Sequence, residues 1–201
     1  MKVYINGKFY SREDAKVSVF DSSFLYGDGV FEGICFYNKR IFKLSEHIDR
    51  LYESAKTINH KIPIDRDKMN ADVKRTVRES GLTNGYIRLI ATRGNGRLGL
   101  NPFICKDPKV IIIADKIELY PPELYKKGLT LITSATRRNH SEAVNPRVKS
   151  MNYLNNIMAQ MEAINAGADE ALMLNNEGYV AECSGDNIFI VKGNTLYTPT
   201  V

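Results

Sequence analysis

The stretch VNPRVKSMNYLNN, residues 144–156, places a single lysine, Lys149, just ahead of a segment with helical apolar spacing. The partial positive charge at a helix N-terminus disfavours an ammonium group there. A neutral amine is what attack on an aldehyde carbon requires, so the placement suits covalent carbonyl chemistry. An ordinary surface lysine ahead of a helix has the same spacing, and placement alone does not separate the two. Other chemistries find less support. Cys35, Cys105 and Cys183 are an odd number at no metal-like spacing, which argues against a disulfide framework and a zinc site. The glycine-bearing TRGNGRLGLNP (92–102) lacks the GxxxxGK[ST] and GxGxxG spacings of phosphate-cradling loops and reads as a flexible loop.

The 201 residues suffice for one large or two small domains with a hydrophobic core. Apolar residues make up 43% and charged residues 25%, ordinary values for a globular chain. The net charge of +5 comes from Lys and Arg scattered among acids, as in SREDAK and KLSEHIDRLYESAK. With no basic tract and no interleaved aromatics, this reads as solvated surface rather than nucleic-acid binding. The N-terminal MKVYINGKFYSREDAKVSVF is broken by charges and resembles no signal peptide, and no apolar run is long enough to span a membrane. A cytoplasmic location is expected.

The elements that must position Lys149 are an α+β mixture. MKVYINGKFY alternates around Asn6-Gly7, the strongest short hairpin signal. GVFEGICFYNKRIFKL repeats the pattern with Asn38-Lys39 at the turn. SEHIDRLYESAKTI has helical spacing, with Ser45 as the expected N-cap. DRDKMNADVKRTVRESG reads as a second helix ending at Gly81, and GYIRLIATRG and KVIIIADKI as β-branched strands. LTLITSATRR reads as a strand, Met151–Asn165 as a helix with Met151, Leu154, Ile157, Met158, Met161 and Ile164 on one face, and EALMLNNEGYVAEC and NIFIVKGNTLYT as strand pairs. The adjacent prolines in ELYPPELYKKG mark a linker. This predicts an N-terminal domain over 1–118, a linker over 119–127 and a second domain over 128–201. The second part has one helix and several strands and stops directly after a strand at LYTPTV, so it is expected to be incomplete.

Three segments, in order, resemble the class IV, or fold type IV, pyridoxal phosphate-dependent aminotransferases. They are VFDSSFLYGDGVFEGICFYNKRIFKLSEHIDRLYESAKTI, GYIRLIATRGNGRLGLNP and NPRVKSMNYLNNIMAQMEAINAGADEALMLNNEGYVAECSGDNIFIVKG. The second is similar to the branched-chain amino acid branch. The resemblance implies a D-amino acid aminotransferase-like fold with a small N-terminal α/β sandwich and a larger cofactor-lysine domain. It implies that Lys149 is the Schiff-base lysine and the proton carrier, and that Glu182 faces the pyridine nitrogen, keeping the ring an electron sink. Arg50 corresponds to the arginine on the cofactor phosphate, which suits a guanidinium fork. His47, three residues earlier, lies on the same side of the helix. Tyr153 corresponds to the tyrosine on the phenolic oxygen. Asn187 matches an asparagine common in the family, read as shaping the turn around Glu182 or as a direct contact.

On the substrate side, Tyr26 and Phe31 resemble pocket aromatics of the branched-chain enzymes. Tyr86 and Arg88 resemble the pair that handles carboxylates, and their spacing of two on a strand points both to one face. Gly33 is counted with this pocket, and with Gly27 and Gly29 reads as a turn or close-approach glycine. TRGNGRLGLNP resembles the family's interdomain loop. Two positions depart from the family: Cys35 stands where some branched-chain enzymes carry arginine, and Cys183 where glycine is common. The resemblance further implies small amino acid and 2-oxo acid substrates, no metal, and a homodimer. A D-amino acid aminotransferase, an aminodeoxychorismate lyase and a truncated non-catalytic relative are the alternatives. The last rests on the family's glycine–threonine phosphate turn, which this sequence lacks.

Overall fold

Asn6 and Gly7 both take positive φ, 44° and 92°, which matches the twist of the strands that a two-residue hairpin joins. The computed structural model, which describes residues 2–116 and 120–200, accordingly pairs β1 (Lys2–Ile5) with β2 (Lys8–Ser11). The chain divides into two compact units, Met1–Ile117 with Val148–Asn152, and Glu118–Arg147 with Tyr153–Val201.

In the first unit α1 (Ser22–Tyr26) is capped by the Asp21 carboxylate, which accepts from the Ser23 amide, and ends at left-handed Gly27. β3 (Gly29–Tyr37) turns through Asn38 and Lys39, both at positive φ, into β4 (Arg40–Ile41). Next come α2 (Leu44–Thr57) and α3 (Arg66–Ser80), the latter capped by Asp65 and ended by Gly81. The N-cap of α2 is Lys43 rather than Ser45. Lys43 takes a left-handed conformation (φ 51°) and its carbonyl accepts the His47 amide, so the helix starts earlier and Ser45 falls inside it. β5 (Gly85–Thr92) and β6 (Val110–Asp115) complete a six-stranded antiparallel sheet of order β2-β1-β6-β5-β3-β4.

Strand alternation then assigns the faces. Ile34, Phe36, Ile87, Leu89 and Ile112 are fully buried in one core with Ile48 and Leu51 of α2 and Met69 and Val73 of α3. Each such side chain contributes roughly 1.5–3 kcal/mol. Phe31, Gly33 and Cys35 alternate to the other face, opposite Ile90, Arg88 and Tyr86 in register. That face carries the candidate substrate residues.

The loop after β5 is tied down at its start. Ser22 donates its amide to the Gly94 carbonyl, and Asn95 bridges to both Asp21 and Lys106. Gly94 has φ +92°, and an added Cβ would lie 2.1 Å from the Lys106 carbonyl oxygen, backbone that cannot swing away. Gly94→Ala is therefore expected to destabilise the chain by more than about 2 kcal/mol, read as a lowered midpoint in urea.

Val148–Asn152 belongs to the first unit because it pairs with the start of β3. Phe31 donates its amide to the Lys149 carbonyl (3.0 Å), and Met151 donates to the Gly29 carbonyl (2.9 Å). These extended bonds take Met151 and Asn152 away from the helix expected to begin there.

The expected linker over 119–127 opens at Leu119, outside the described residues, and closes on the single turn α4 (Leu124–Lys127). The second unit continues with β7 (Leu131–Thr133), α5 (Leu154–Asn165), β8 (Glu170–Leu174), β9 (Val180–Cys183), β10 (Ile190–Lys192) and β11 (Thr195–Tyr197). β8 is central, parallel to β7 and antiparallel to β9, while β10 and β11 form a separate hairpin. The helix runs from Leu154, three residues later than its periodicity suggested. It packs through the small residues Ala159 and Ala163 onto Ala171 and Met173 of β8, with Asn156 also buried. Its larger apolar residues are exposed, Leu154 at 68% and Ile164 at 63%. Small side chains let the helix approach the sheet closely, and the Leu/Ile/Met stripe lies outside that contact.

Candidate active site

The backbone pairing of Val148–Asn152 onto β3 fixes where Lys149 projects. Its amide donates to Ser54 Oγ of α2 (3.2 Å), and its Nζ lies 5.0 Å from the centroid of the Phe31 ring. The same ring carries the Arg88 guanidinium, 4.4 Å from its centroid, and Arg88 also lies 5.6 Å from the Tyr86 ring. An arginine set against two aromatic faces loses little freedom on binding an anion. Phe31, Gly33, Tyr86, Arg88 and Lys149 are thus brought together on the face of the sheet opposite the α2 and α3 core. Tyr26 is half-exposed, and its hydroxyl accepts the Gly99 amide (3.1 Å), which ties α1 to the glycine-bearing loop.

Gly29 and Gly33 are close-approach glycines. A Cβ on Gly29 would meet Ser23 Oγ at 2.5 Å and Met151 Sδ at 2.8 Å, so the pairing that carries Lys149 needs its absence. A Cβ on Gly33 would lie 1.9 Å from the Tyr86 hydroxyl.

Arg50 lies at a different place, where α2 meets β3. Its Nε and Nη2 donate to the two oxygens of Glu32 at 2.6 and 2.7 Å, and His47 Nδ1 lies 2.8 Å from Glu32 Oε2. The structure thus joins Arg50 and His47 through a third residue. Glu32 is completely buried, while the Arg50 side chain is half-exposed. Burial alone would raise the Glu32 pKa. The Arg50 and His47 hydrogen bonds and charges outweigh it and hold the carboxyl below its ordinary value.

In the second unit Glu182 of β9 is ion-paired with Arg138 Nε, and Arg138 Nη1 donates to Asn155 Oδ1 of α5. Asn155 in turn donates to the Arg137 carbonyl (2.8 Å). Arg138, Glu182 and Asn187 line a cavity of about 750 Å³ with His140, Arg147 and Thr198. The turn after Glu182 is closed by the Cys183 amide donating to the Asp186 carbonyl (3.0 Å). Asn187 thus lines the cavity, and that bond closes the turn. The Cys183 thiol is pushed up to about 11 by burial, reinforced by Glu170, Asp186 and Glu182, so it stays a neutral packing residue. Tyr153 stands at the N-cap position of α5, half-buried.

A family model described as amino-transferase class IV matches residues 29–201. The chain belongs to the class IV aminotransferases. A Methanocaldococcus jannaschii protein inferred to be a branched-chain-amino-acid aminotransferase is 50% identical over all 201 residues, and the match covers 69% of that protein. The branched-chain-amino-acid aminotransferase of Pseudomonas aeruginosa is 40% identical, with 99% of this chain and 66% of that one covered. The solved T.th. branched-chain amino acid aminotransferase with pyridoxamine 5'-phosphate superposes with a TM-score of 0.91 at 39% identity, over 98% of this chain and 67% of that one. The chain thus spans about two thirds of the length of these proteins. The fold is the mixed α/β fold type IV of pyridoxal phosphate-dependent enzymes.

Taken unit by unit, the side chains of this class IV aminotransferase are of kinds that suit that cofactor: the first unit offers an amine over an apolar ring and a guanidinium fixed by Glu32, and the second a carboxylate at a polar cavity. Two residues escaped the sequence reading. Glu32 carried a visible signal, an acid at a core position between Val30, Ile34 and Phe36 of an alternating strand. Arg138 carried none, because TRR is an ordinary surface pattern. Gly33→Ala is expected to push the Tyr86 ring off the sheet and weaken substrate use, lowering kcat/KM about tenfold. The melting temperature should stay near that of the parent, because only the end of one half-exposed side chain must move. Steady-state kinetics alongside a thermal melt checks this.

Proposed function

We propose that the chain is a pyridoxal phosphate-dependent aminotransferase that moves the amino group of valine, leucine or isoleucine to 2-oxoglutarate, giving the branched 2-oxo acid and glutamate in two half-reactions. The observation that carries the reading is the placement of Lys149, held by backbone bonds to β3 with its amine over the Phe31 ring.

Bound pyridoxal phosphate supplies an electrophilic carbonyl and an electron-withdrawing ring. The residues of this chain supply the rest. Lys149 would hold the cofactor by its amine and, once the substrate amine has displaced it, would be the group that takes up and gives back the substrate Cα proton. Glu182 holds the ring nitrogen protonated, with Arg138 fixing its orientation. Arg50 would hold the phosphate, Tyr153 would donate to the phenolic oxygen, and Asn187 would contact the cofactor from the cavity it lines with Glu182. Arg88, set against Phe31 and Tyr86, takes a substrate carboxylate. Phe31 and Tyr26 offer apolar surface to a branched side chain, and Gly33 lets the Tyr86 ring lie close against the sheet beside it.

The substrate assignment is tested by comparing amino donors. L-leucine with 2-oxoglutarate should turn over, and D-alanine should not. Preference for D-alanine would place the chain with the D-amino acid enzymes, and pyruvate release from aminodeoxychorismate would make it a lyase. A second copy of the chain is part of the reading. Val19, Phe20, Phe24, Leu98 and Phe103 leave apolar surface exposed on the first unit, consistent with association. Sedimentation as a monomer at micromolar concentration would contradict it. No helix among the described residues is long and apolar enough to cross a membrane, and no cluster of metal ligands occurs among them. A cytoplasmic location accords with the three free cysteines.

A further inference from the structure

Glu32 is out of place by the ordinary rules of a core. It sits on the helix-covered face of β3, in line with Val30, Ile34 and Phe36 and opposite Leu89, and no part of its side chain reaches solvent. A buried ion pair is seldom more stable than an apolar residue of similar volume at the same site. Stability therefore does not account for a carboxylate there.

Its geometry does. Both Glu32 oxygens are engaged by Arg50, through Nε at 2.6 Å and Nη2 at 2.7 Å. Two parallel bonds along one edge of a guanidinium fix the plane of the group as well as its position. The second oxygen is held again by His47, one turn earlier on α2, at 2.8 Å. Against an ionised carboxylate that histidine nitrogen carries the proton. Glu32 is thus clamped from two sides, and it clamps Arg50 in turn. The Arg50 side chain is 51% exposed, and an arginine left to itself at such a position retains rotamer freedom that an anion must remove on binding. A fixed fork has surrendered that freedom beforehand.

We propose that Glu32 is a positioning residue: it aims Arg50, so that preference for a phosphorylated cofactor depends on a carboxylate that itself touches no phosphate. His47 supports Glu32 in this role. The inference rests on the reading that Arg50 holds the cofactor phosphate.

The test separates the two. The 201-residue chain and its Glu32→Gln, His47→Gln, Arg50→Ala and Glu32→Gln/Arg50→Ala variants are titrated with pyridoxal phosphate and with pyridoxal, which lacks the phosphate, and each is melted by circular dichroism. Arg50→Ala should abolish the preference for the phosphorylated compound. Glu32→Gln should weaken pyridoxal phosphate binding about tenfold and leave pyridoxal within twofold. His47→Gln should act in the same direction more weakly, and it serves alone if Glu32→Gln does not fold. In the Arg50→Ala background Glu32→Gln should change the ratio no further, because its effect passes through the arginine. Equal loss for both compounds, or no loss for either, in Glu32→Gln would overturn the proposal while leaving Arg50 in place. A preference that survives Arg50→Ala would overturn the phosphate reading instead, and binding of neither compound by the parent would overturn both.

Discussion

Lys149→Ala is expected to remove transamination, with a loss of at least about 10⁴-fold in turnover. Two functions disappear together: covalent attachment to the cofactor aldehyde, and the general acid–base group that moves the Cα proton. The second alone is worth roughly 10²–10⁴. The loss should come without unfolding. The bonds that hold this segment use backbone groups, with Phe31 donating to the Lys149 carbonyl and Met151 to Gly29, and alanine keeps them. Steady-state assay of L-leucine with 2-oxoglutarate, beside a thermal melt, reads both halves. Lys149→Arg is the useful companion, because it keeps a cation over the Phe31 ring but offers no neutral amine. It should fail as the alanine does. Multiple turnover in either variant would contradict the role assigned to Lys149.

The second large effect is on stability. Arg50→Ala leaves the wholly buried Glu32 with His47 as its hydrogen-bond partner on α2, and uncompensated buried charges cost about 3–5 kcal/mol. The Arg50 side chain is half-exposed, so the lower end, about 3 kcal/mol, is expected. The pH dependence carries the sign. In the parent the Glu32 carboxyl is held below its ordinary value of 4.5. Its contribution is therefore fully present above that value and lost as pH falls through the depressed one. In Arg50→Ala burial becomes the main influence and the carboxyl rises above its ordinary value. Its contribution is then present at low pH and lost as pH rises through the raised value. The deficit relative to the parent should accordingly be smaller near about pH 5 than near about pH 7.5. Urea unfolding at both values checks this. A deficit that is the same at both would mean that Glu32 is not the group left uncompensated.

Much of this was legible in the sequence because local chemistry decides it. Asn6-Gly7 and Asn38-Lys39 form the turns their residue types favour, Gly81 ends α3, and Tyr86 and Arg88 share a face because strand alternation requires it. What was not legible depends on pairing between distant segments. The start of α5 moved to Leu154 because Lys149 to Met151 are claimed by β3, more than 100 residues away, a contact that periodicity does not encode. The same pairing groups Lys149 with the first unit, although it lies within the stretch expected to be the second domain. The N-cap of α2 shifted from Ser45 to Lys43, where a left-handed backbone, not a side-chain oxygen, opens the helix. Lys149, Glu182 and Arg50 are proposed site residues on the strength of their resemblance to the family. Arg138, one of two adjacent arginines, emerges only from side-chain geometry, whereas Glu32, a lone acid at a core position of an alternating strand, carried a signal that its partners on α2 explain.

The most direct test of the central claim is chemical. The 201-residue protein is mixed with pyridoxal phosphate, reduced with borohydride, digested and mapped by mass. A single phosphopyridoxyl group is expected on the peptide carrying Lys149, accompanied by a visible absorbance band before reduction and absent from Lys149→Ala. Label spread over surface lysines, or retained in the alanine variant, would contradict the assignment of Lys149 as the residue that carries the cofactor.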